Sequence, residues 1–515
     1  MDRVTQPVVK RSPWKKILIV ALVLLLICCG GAVAFVTWLL TGNKIDTFGK
    51  VDFANQLAIP ALAPSQVDAQ GRRIFNLTAQ AGQHTFGSGR GGNGTTWGFN
   101  GDYLGPTLRA KAGEQVVVNV HNKLDETTTV HWHGMHLPAA MDGGPHQLVS
   151  AGKTWSPTWK IAQPASTLWY HPHLHGETAD HVYKGLAGMF ILDGDTPKGL
   201  PETYGVDDIP LIVQDKAFES NGKLDDRNPF LSGVGILGDE IVVNGTHSPF
   251  LDVTAERVRL RVLNASNARV FNFGFDDDRR FDVIGTDGGL LEKPVSMDRL
   301  QLSAGERAEI VVSMKPGERI VLRSYDPDLG SLFDDLKGGA DQFDVLQLRA
   351  AASLKPSAAL PATLTTIDRL SNPAVTRKFS LSGHSINGKQ MQMNRIDFAP
   401  TVNTTEAWEV FNNDGDLHSF HVHDVQFQIL AVNGAPPPPH LMGWKDTVLV
   451  ASDMSYKLIM RFTDHADPNV PYMYHCHVLY HEDAGMMGQF VVVQPGQSPG
   501  TPPSHEDHSA HAGHH

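Results

Sequence analysis

Four pairs of histidines, each pair separated by a single residue, are the feature of this sequence that most directly suggests chemistry. Side chains two positions apart on a β-strand point to the same face, so each pair offers two imidazoles to one site. One isolated pair is usually a polar strand face or a satisfied core histidine, but four pairs exceed what the 25 histidines in 515 residues would give by chance. Eight imidazoles suit a cluster of three copper ions, whereas a zinc hydrolase requires fewer. The pairs are His131/His133, His171/His173, His421/His423 and His475/His477.

The last pair encloses a cysteine, in the sequence HCHVLYHEDAGMM at 475–487. On a strand, Cys476 faces away from both neighbouring histidines, so one strand can serve two metal sites. His418, His481 and Met486 are available as further ligands for Cys476. Two histidines, a thiolate and a weak axial methionine form the ligand set of a blue-copper electron-transfer site.

Three stretches that could position these ligands share one pattern and lie about a domain apart, at 105–122, 248–264 and 399–413. Each runs from a proline-containing turn through an acidic residue into a strand that ends at Asn, and the alternating valines of the first are typical of a half-buried strand. The repetition predicts three related β-sandwich domains, with linkers near 196–205 and 351–375.

The repeats differ in the residues that come after the terminal Asn. Histidine pairs come after Asn122 and Asn412, but the residues after Asn264 read ARVFNFGF at 268–275. The middle domain is therefore expected to keep the scaffold and to lack copper ligands.

Composition and charge favour one fold class and exclude some classes of partner. The 49 glycines, 32 prolines and 19% charged residues favour many short strands joined by turns, and the formal net charge is −12. A negative folded part argues against nucleic acid as a partner. Cys28 and Cys29 lie together in an apolar run and Cys476 is alone, so no disulfide framework is predicted within the globular part.

The N-terminus carries a candidate membrane anchor. Residues 17–40 contain no charged residue and are long enough as a helix to cross a bilayer. The basic segment at 1–16 precedes them, so the positive-inside rule leaves the N-terminus in the cytoplasm and the rest outside. A cleaved signal peptide is the alternative, because Ala32-Val33-Ala34 has the form of a cleavage site.

The histidine motifs resemble those of the multicopper oxidases. HWHG (131–134), WYHPHLHG (169–176), HSFHVH (418–423) and HCHVLYHEDAGMM match that family's four ligand motifs in order and spacing, over roughly residues 50 to 495. INGKQMQMNRIDF (386–398) is similar in particular to the bacterial copper-efflux and laccase-like oxidases. A few members of the family have lost their ligands and serve structural roles in the cell envelope, whereas this chain has kept every one.

The resemblance implies four copper ions and a role for each ligand. It places the type 1 copper on His418, Cys476, His481 and Met486, and the type 2 copper on His131 and His421. The type 3 pair would be held by His133, His171, His173, His423, His475 and His477, with His175 left unassigned.

Two acids resemble the family's proton-relay residues by position, namely Glu482 and Asp142. Reduction of dioxygen to water consumes protons in a buried site, so carboxyls must lead in from solvent. Burial is expected to raise the pKa of Glu482 above its ordinary value.

The fold class expected from these features is all-β, with three consecutive cupredoxin-like Greek-key β-sandwich domains after one N-terminal transmembrane helix. The predicted segments are a cytoplasmic basic segment 1–16, an anchor or signal peptide 17–40, cupredoxin domain 1 at 50–200, a copper-free domain 2 at 205–350, domain 3 with the type 1 copper at 375–495, and a disordered histidine-rich tail at 496–515.

The function predicted is an oxidase that couples one-electron oxidations of phenols, aromatic amines or low-valent metal ions to reduction of dioxygen to water. Cuprous oxidation for copper tolerance and, in a different class, extracytoplasmic copper sequestration are the alternatives. The protein is expected to be a monomer at the outer face of the cell membrane, or secreted or periplasmic after cleavage.

Overall fold

The computed structural model describes Gly31 and residues 44–87, 90–91, 94–227, 233–331 and 334–503. These residues form short strands joined by turns, which confirms the all-β prediction. The strands fall into three groups along the chain, and most of each group's buried apolar side chains pack in a core of their own.

The first group consists of β1 (Asn55–Gln56), β2 (Ser65–Val67), β3 (Arg73–Gly82), β4 (Thr85–Gly87), β5 (Arg90–Gly91), β6 (Thr96–Phe99), β7 (Leu108–Lys111), β8 (Gln115–Asn122), β9 (His131–His133), β10 (Thr154–Trp155), β11 (Thr158–Lys160), β12 (Ser166–His171) and β13 (Gly188–Asp193). Strands β2, β3, β6, β8, β10 and β11 form one sheet, and the order β7-β13-β12-β9 forms another. β1 instead pairs in parallel with a strand of the second group.

The second group consists of β14 (Asp208–Lys216), β15 (Glu240–Val243), β16 (Thr246–His247), β17 (Pro249–Ala255), β18 (Arg257–Asn264), β19 (Phe271–Phe275), β20 (Phe281–Thr286), β21 (Gly289–Met297), β22 (Leu300–Leu302), β23 (Arg307–Ser313), β24 (Arg319–Tyr325) and β25 (Phe343–Lys355). Its sheets have the orders β16-β15-β14-β18-β23-β20-β21 and β1-β17-β25-β24-β19-β22.

The third group consists of β26 (Val375–Ser382), β27 (Ser385–Ile386), β28 (Thr404–Asn412), β29 (His418–Val422), β30 (Phe427–Val432), β31 (Thr447–Val450), β32 (Ser455–Phe462), β33 (Tyr472–Cys476) and β34 (Met487–Phe490). Its sheets have the orders β27-β26-β28-β32-β30 and β31-β29-β33-β34. The described helices are short: α1 (Thr178–Lys184), α2 (Leu479–Asp483) and 3-10 turns at Ala139–Met141, Asp334–Lys337 and Pro439–Leu441.

The repeated Asn makes the same corner in all three groups. The side-chain oxygen of Asn122 accepts the N–H two residues later, and its amide donates to the carbonyls of Glu126 and Val149. Asn264 and Asn412 make the corresponding hydrogen bonds. This arrangement turns the chain out of one sheet and into the next, which explains why the pattern recurs at domain spacing.

Strand alternation then decides which side chains reach the core. In β9, Trp132 is fully buried in the apolar core of the first group, so His131 and His133 on either side of it face the other way. The core therefore fixes the direction of the histidine pair.

Three predicted segments fall wholly or partly outside what the structure describes. These are the basic segment 1–16, residues 17–40 apart from Gly31, and residues 504–515 of the tail. Among the described residues, no helix has the length and apolar character needed to cross a membrane. The predicted domain boundaries stay predictions.

Candidate metal centre

Each histidine-bearing sheet places two pairs on neighbouring antiparallel strands. In the first group, His131 of β9 lies opposite His171 of β12. In the third group, His421 of β29 lies opposite His475 of β33. The strand register thus brings four imidazole pairs to two facing surfaces.

The two surfaces meet and bring all eight imidazoles together. The His131 ring stacks on His423 with centroids 3.8 Å apart, and His133 stacks on His421 at 3.7 Å. His475 Nε2 lies 3.2 Å from Nε2 of both His173 and His423. His133 Nδ1 lies 3.3 Å from His171 Nε2. At most 1% of each of these eight side chains is exposed.

Several ring nitrogens in this cluster are oriented for a metal ion. His131 Nδ1 lies 3.0 Å from the Asp142 carbonyl, and His421 Nδ1 lies 2.9 Å from the Asp446 carbonyl. Each Nδ1 therefore donates its N–H to the carbonyl, and each Nε2 keeps a lone pair that can bind a metal ion. Both Nε2 atoms, and both ring nitrogens of His477, are buried without a hydrogen-bond partner among the described residues. Buried imidazoles left unsatisfied in this way fit bound copper, because a metal ion would complete them.

Burial also favours the neutral, metal-binding form of these rings. Burial, together with the neighbouring imidazoles, lowers the pKa of His421 and His423 well below the ordinary value. The pKa of His477 falls to about 3 because of burial and the nearby His475.

Cys476 lies on the opposite face of β33, as predicted. Its Sγ lies 3.6 Å from Nδ1 of both His418 and His481, and all three side chains are buried. Burial raises the pKa of the Cys476 thiol, but His418 and His481 lower it to about 5, which favours a thiolate. Met486 is buried, and its carbonyl accepts the Cys476 N–H at 3.0 Å.

Comparisons with known proteins agree with this geometry. Three family models, each described as multicopper oxidase, match residues 80–197, 213–326 and 359–496. The multicopper oxidase mco of Staphylococcus haemolyticus is 35% identical over 453 residues, covering 85% of this chain and 93% of that protein. This chain belongs to the multicopper oxidase family.

Further relatives include both enzymes and a cell-division protein. The cell division protein FtsP of Sodalis glossinidius is 38% identical over 448 residues, covering 85% of this chain and 92% of that protein. A laccase from Pediococcus acidilactici superposes with a TM-score of 0.77 at 35% identity, covering 85% of this chain and 94% of the laccase.

A laccase-like multicopper oxidase from Ochrobactrum, with oxidase activity towards lignin model compounds, superposes with a TM-score of 0.77 at 37% identity, covering 85% of this chain and 100% of that one. Membership of this multicopper oxidase family makes the protein a copper-dependent oxidoreductase.

The two predicted acids both lie against the histidine cluster. Asp142 Oδ2 is 2.7 Å from His423 Nδ1. The Glu482 carboxyl reaches two rings, with one oxygen 3.2 Å from His173 Nδ1 and the other 3.2 Å from His475 Nδ1. His175, which the sequence left unassigned, is exposed.

The expected direction of the Glu482 pKa shift is wrong. Burial does raise the pKa of this carboxyl, but the adjacent His173 and His475 outweigh burial and hold it well below the ordinary value. Desolvation alone would raise this pKa, and the two imidazoles that the carboxylate contacts reverse the direction of the shift.

Asp446 is a further residue of the site that was not predicted from the sequence; it contacts a histidine of the cluster. Its Oδ1 lies 3.1 Å from His133 Nε2, while His133 Nδ1 lies near His171. Arg307 of the middle group donates two hydrogen bonds to the same carboxylate, from Nη1 at 2.7 Å and from Nη2 at 2.6 Å. A charged pair assembled from residues 139 positions apart leaves no local signal in the sequence.

Proposed function

We propose that this multicopper oxidase takes single electrons at a type 1 copper held by His418, Cys476, His481 and Met486, and uses four of them to reduce dioxygen to two waters. The observation that carries this proposal is that the two faces of the sheet at β33 contribute to two different sites. Cys476 joins His418 and His481 on one face, while His475 and His477 join the other histidine pairs on the opposite face.

The remaining copper ions would bind in the histidine cluster. We assign His131 and His421 to the type 2 copper, and the type 3 pair to the six others: His133, His171, His173, His423, His475 and His477. When bound, the coppers supply the one-electron steps that couple donor oxidation to dioxygen reduction. The three sandwiches are proposed to be cupredoxin-like Greek-key domains.

The chain itself supplies the connection between the two sites. The peptide bonds on either side of Cys476 lead directly to His475 and His477, and His475 Nδ1 lies 3.1 Å from the Cys476 carbonyl. An electron arriving at the thiolate therefore has a short covalent and hydrogen-bonded route to the cluster.

Glu482 and Asp142 are proposed to deliver protons to the cluster. Both are buried and both contact imidazoles of the cluster, at 3.2 Å and 2.7 Å respectively. Glu482 also comes directly after His481 in the chain, so one short segment serves both electron and proton entry.

Phenols and aromatic amines are the donors that we favour, with low-valent metal ions second. Beside the type 1 ligands, His418 Nε2 faces Asp414 at 3.3 Å, and Asp416 is paired with Lys337 at 2.6 Å. These two carboxylates are thus paired within the protein, which makes them less available to bind a metal-ion donor. The Ochrobactrum relative, in addition, acts on lignin model compounds. Oxygen uptake measured in parallel with a dimethoxyphenol and with cuprous, ferrous and manganous ions tests this order; a cuprous rate far above the phenol rate would reverse it.

The protein is further proposed to act as a monomer outside the cytoplasm, held at the membrane by residues 17–40. The support is the uncharged run and its basic flank. Membrane fractionation with N-terminal sequencing distinguishes an anchored chain, which keeps its first residues, from one cleaved after Ala34.

A copper-free structural role is the second candidate, because one 38% identical relative is a cell division protein. Copper sequestration without turnover is a third. Dioxygen consumption separates both from the oxidase, and the buried unsatisfied imidazoles argue against the copper-free role.

The direct test of the type 1 site is Cys476→Ser. We expect copper-loaded wild type to absorb intensely near the red end of the visible spectrum, and the variant to lose both this band and turnover. Cys28→Ser, in the predicted anchor, is the matched control and should keep both. A colourless wild type with its full copper content would contradict the proposal.

A further inference from the structure

A cluster made of methionines lies beside the histidine cluster and has no part in the function proposed above. Within the described residues, the hydrophobic side chains that pack here are Met391, Met393, Met473 and Met487, with no aliphatic or aromatic member. Four of the 14 methionines of the chain are therefore gathered at one place. These four methionines are separated by up to 96 residues in the sequence, so their meeting depends on the fold.

Strand register puts the cluster directly next to His475. Met487 of β34 lies opposite His475 of β33, and Met473 precedes His475 by two residues on the same face. The alternate residues Tyr472, Tyr474 and Cys476 instead pack in the apolar core. Met473 and Met487 thus lie on the face of this sheet that carries His475, and Met391 and Met393 pack against them.

The same cluster also borders Asp142. A Cβ placed on Gly144 would lie 3.4 Å from Asp142 Oδ2 and 3.7 Å from Met473 Cγ. Met473 therefore lies near the side of the histidine cluster where Asp142 contacts it.

The outer half of the cluster is held in place by backbone hydrogen bonds. The Met391 N–H donates to the Gly485 carbonyl at 2.9 Å. The Gln489 side-chain amide donates to the carbonyls of Met393 and Arg395 at 2.9 and 2.8 Å. Burial increases inward, from the half-buried Met393 to the fully buried Met473 and Met487.

Thioether sulfurs are soft ligands that select Cu(I), whereas imidazole and carboxylate suit harder ions. The histidine cluster is buried, so copper must pass through protein to reach it. We propose that Met391, Met393, Met473 and Met487 form a thioether site for Cu(I), through which copper reaches His475 and its neighbours. This site lies on the histidine-cluster side of β33, away from the electron-entry site at Cys476.

The test uses the full copper-loaded chain and Ag(I), a soft monovalent ion, as silver nitrate in chloride-free buffer. We expect the wild type to bind an additional Ag(I) with sulfur neighbours in X-ray absorption, and Met391→Leu/Met393→Leu to lose at least ten-fold in affinity. Leucine conserves volume, so the fold should be kept. Met442→Leu, at an exposed methionine, is the matched control and should bind Ag(I) as the wild type does.

A second measurement monitors anaerobic reloading of the copper-free chain with Cu(I). Samples withdrawn over time are re-oxidised with dioxygen, because only Cu(II) gives the blue band. Filling of the histidine cluster should be several-fold slower in the double variant, while the blue band is recovered at the wild-type rate. Wild type without sulfur-bound Ag(I), equal Ag(I) affinity in the double variant, or equal reloading rates would each overturn the proposal. Blue absorption and oxygen uptake of the same samples report on the oxidase separately, so failure of one proposal is distinguishable from failure of the other.

Discussion

The strands that come after the repeated Asn corner differ sharply between the outer groups and the middle group. β9 and β29 carry histidines into the metal centre, whereas β19 carries Phe271, Phe273 and Phe275 into an apolar core. The corner before each strand makes the same hydrogen bonds in all three cases. The same scaffold therefore occurs with and without the histidine pairs, and the pairs are substitutions on one face of it.

The middle group still contributes to the centre, by packing and charge. A Cβ on Gly305 would lie 3.0 Å from the His477 ring, and Ser303 Oγ lies 2.8 Å from Ser419 Oγ on the ligand strand β29. Arg307 holds Asp446, which in turn contacts His133. The middle group thus positions histidines that the outer groups supply.

The largest effect on stability and copper content is expected from Arg307→Met, which removes the ion pair between the middle group and Asp446. The substitution leaves the carboxylate of Asp446 buried without its cation, which typically costs about 3–5 kcal/mol. We expect a large drop in the thermal unfolding temperature and loss of copper from the histidine cluster.

Arg72→Met is the control for this experiment, because Arg72 pairs with Asp68 at the surface. It should leave the unfolding temperature and the copper content unchanged. If Arg307→Met retained wild-type stability and copper content, the positioning role of the middle group would be wrong.

Glu482→Gln tests the proposed proton delivery within the outer groups and should leave the fold intact. The amide keeps the shape of the side chain between His173 and His475 but cannot exchange a proton at working pH. Turnover should fall about 10²-fold or more, as is typical for losing a proton-transfer group, while the blue absorption stays unchanged. A bleached blue band would show instead that Glu482 supports the type 1 loop, and an unchanged rate would leave Asp142 as the proton donor.

The smallest effect is expected from a matched pair of corner substitutions, Asn264→Ala and Asn412→Ala. Each leaves two carbonyls without their donor, at least one of them buried, so both should lower the free energy of unfolding by about 2 kcal/mol. Only Asn412→Ala should also shift the blue absorption, because its corner leads into His418. A spectral shift in Asn264→Ala of equal size would remove the distinction between scaffold and site.

Much of this architecture is visible in the sequence because it depends on local rules. Strand alternation predicts that His131 and His133 share one face, and it predicts that Cys476 turns away from its neighbours. The repeated Asn pattern predicts the three related sandwiches, since part of its corner uses hydrogen bonds to residues a few positions on.

The features that the sequence did not reveal arise where distant segments meet. Asp446 and Arg307 lie in different groups, and Met391 reaches Met473 only through packing. The expectation for Glu482 is wrong partly for the same reason, because its pKa is lowered by His173, more than 300 residues away, together with the nearby His475.

The stoichiometry of electron transfer tests the central claim most directly, namely that one chain couples a type 1 site to a histidine cluster for complete dioxygen reduction. The measurement counts copper per chain and donor electrons per dioxygen consumed, with peroxide assayed in parallel. We predict four coppers, four electrons per dioxygen and no released peroxide. Copper-replete protein that consumes two electrons per dioxygen and releases peroxide, or consumes no dioxygen, would contradict the account.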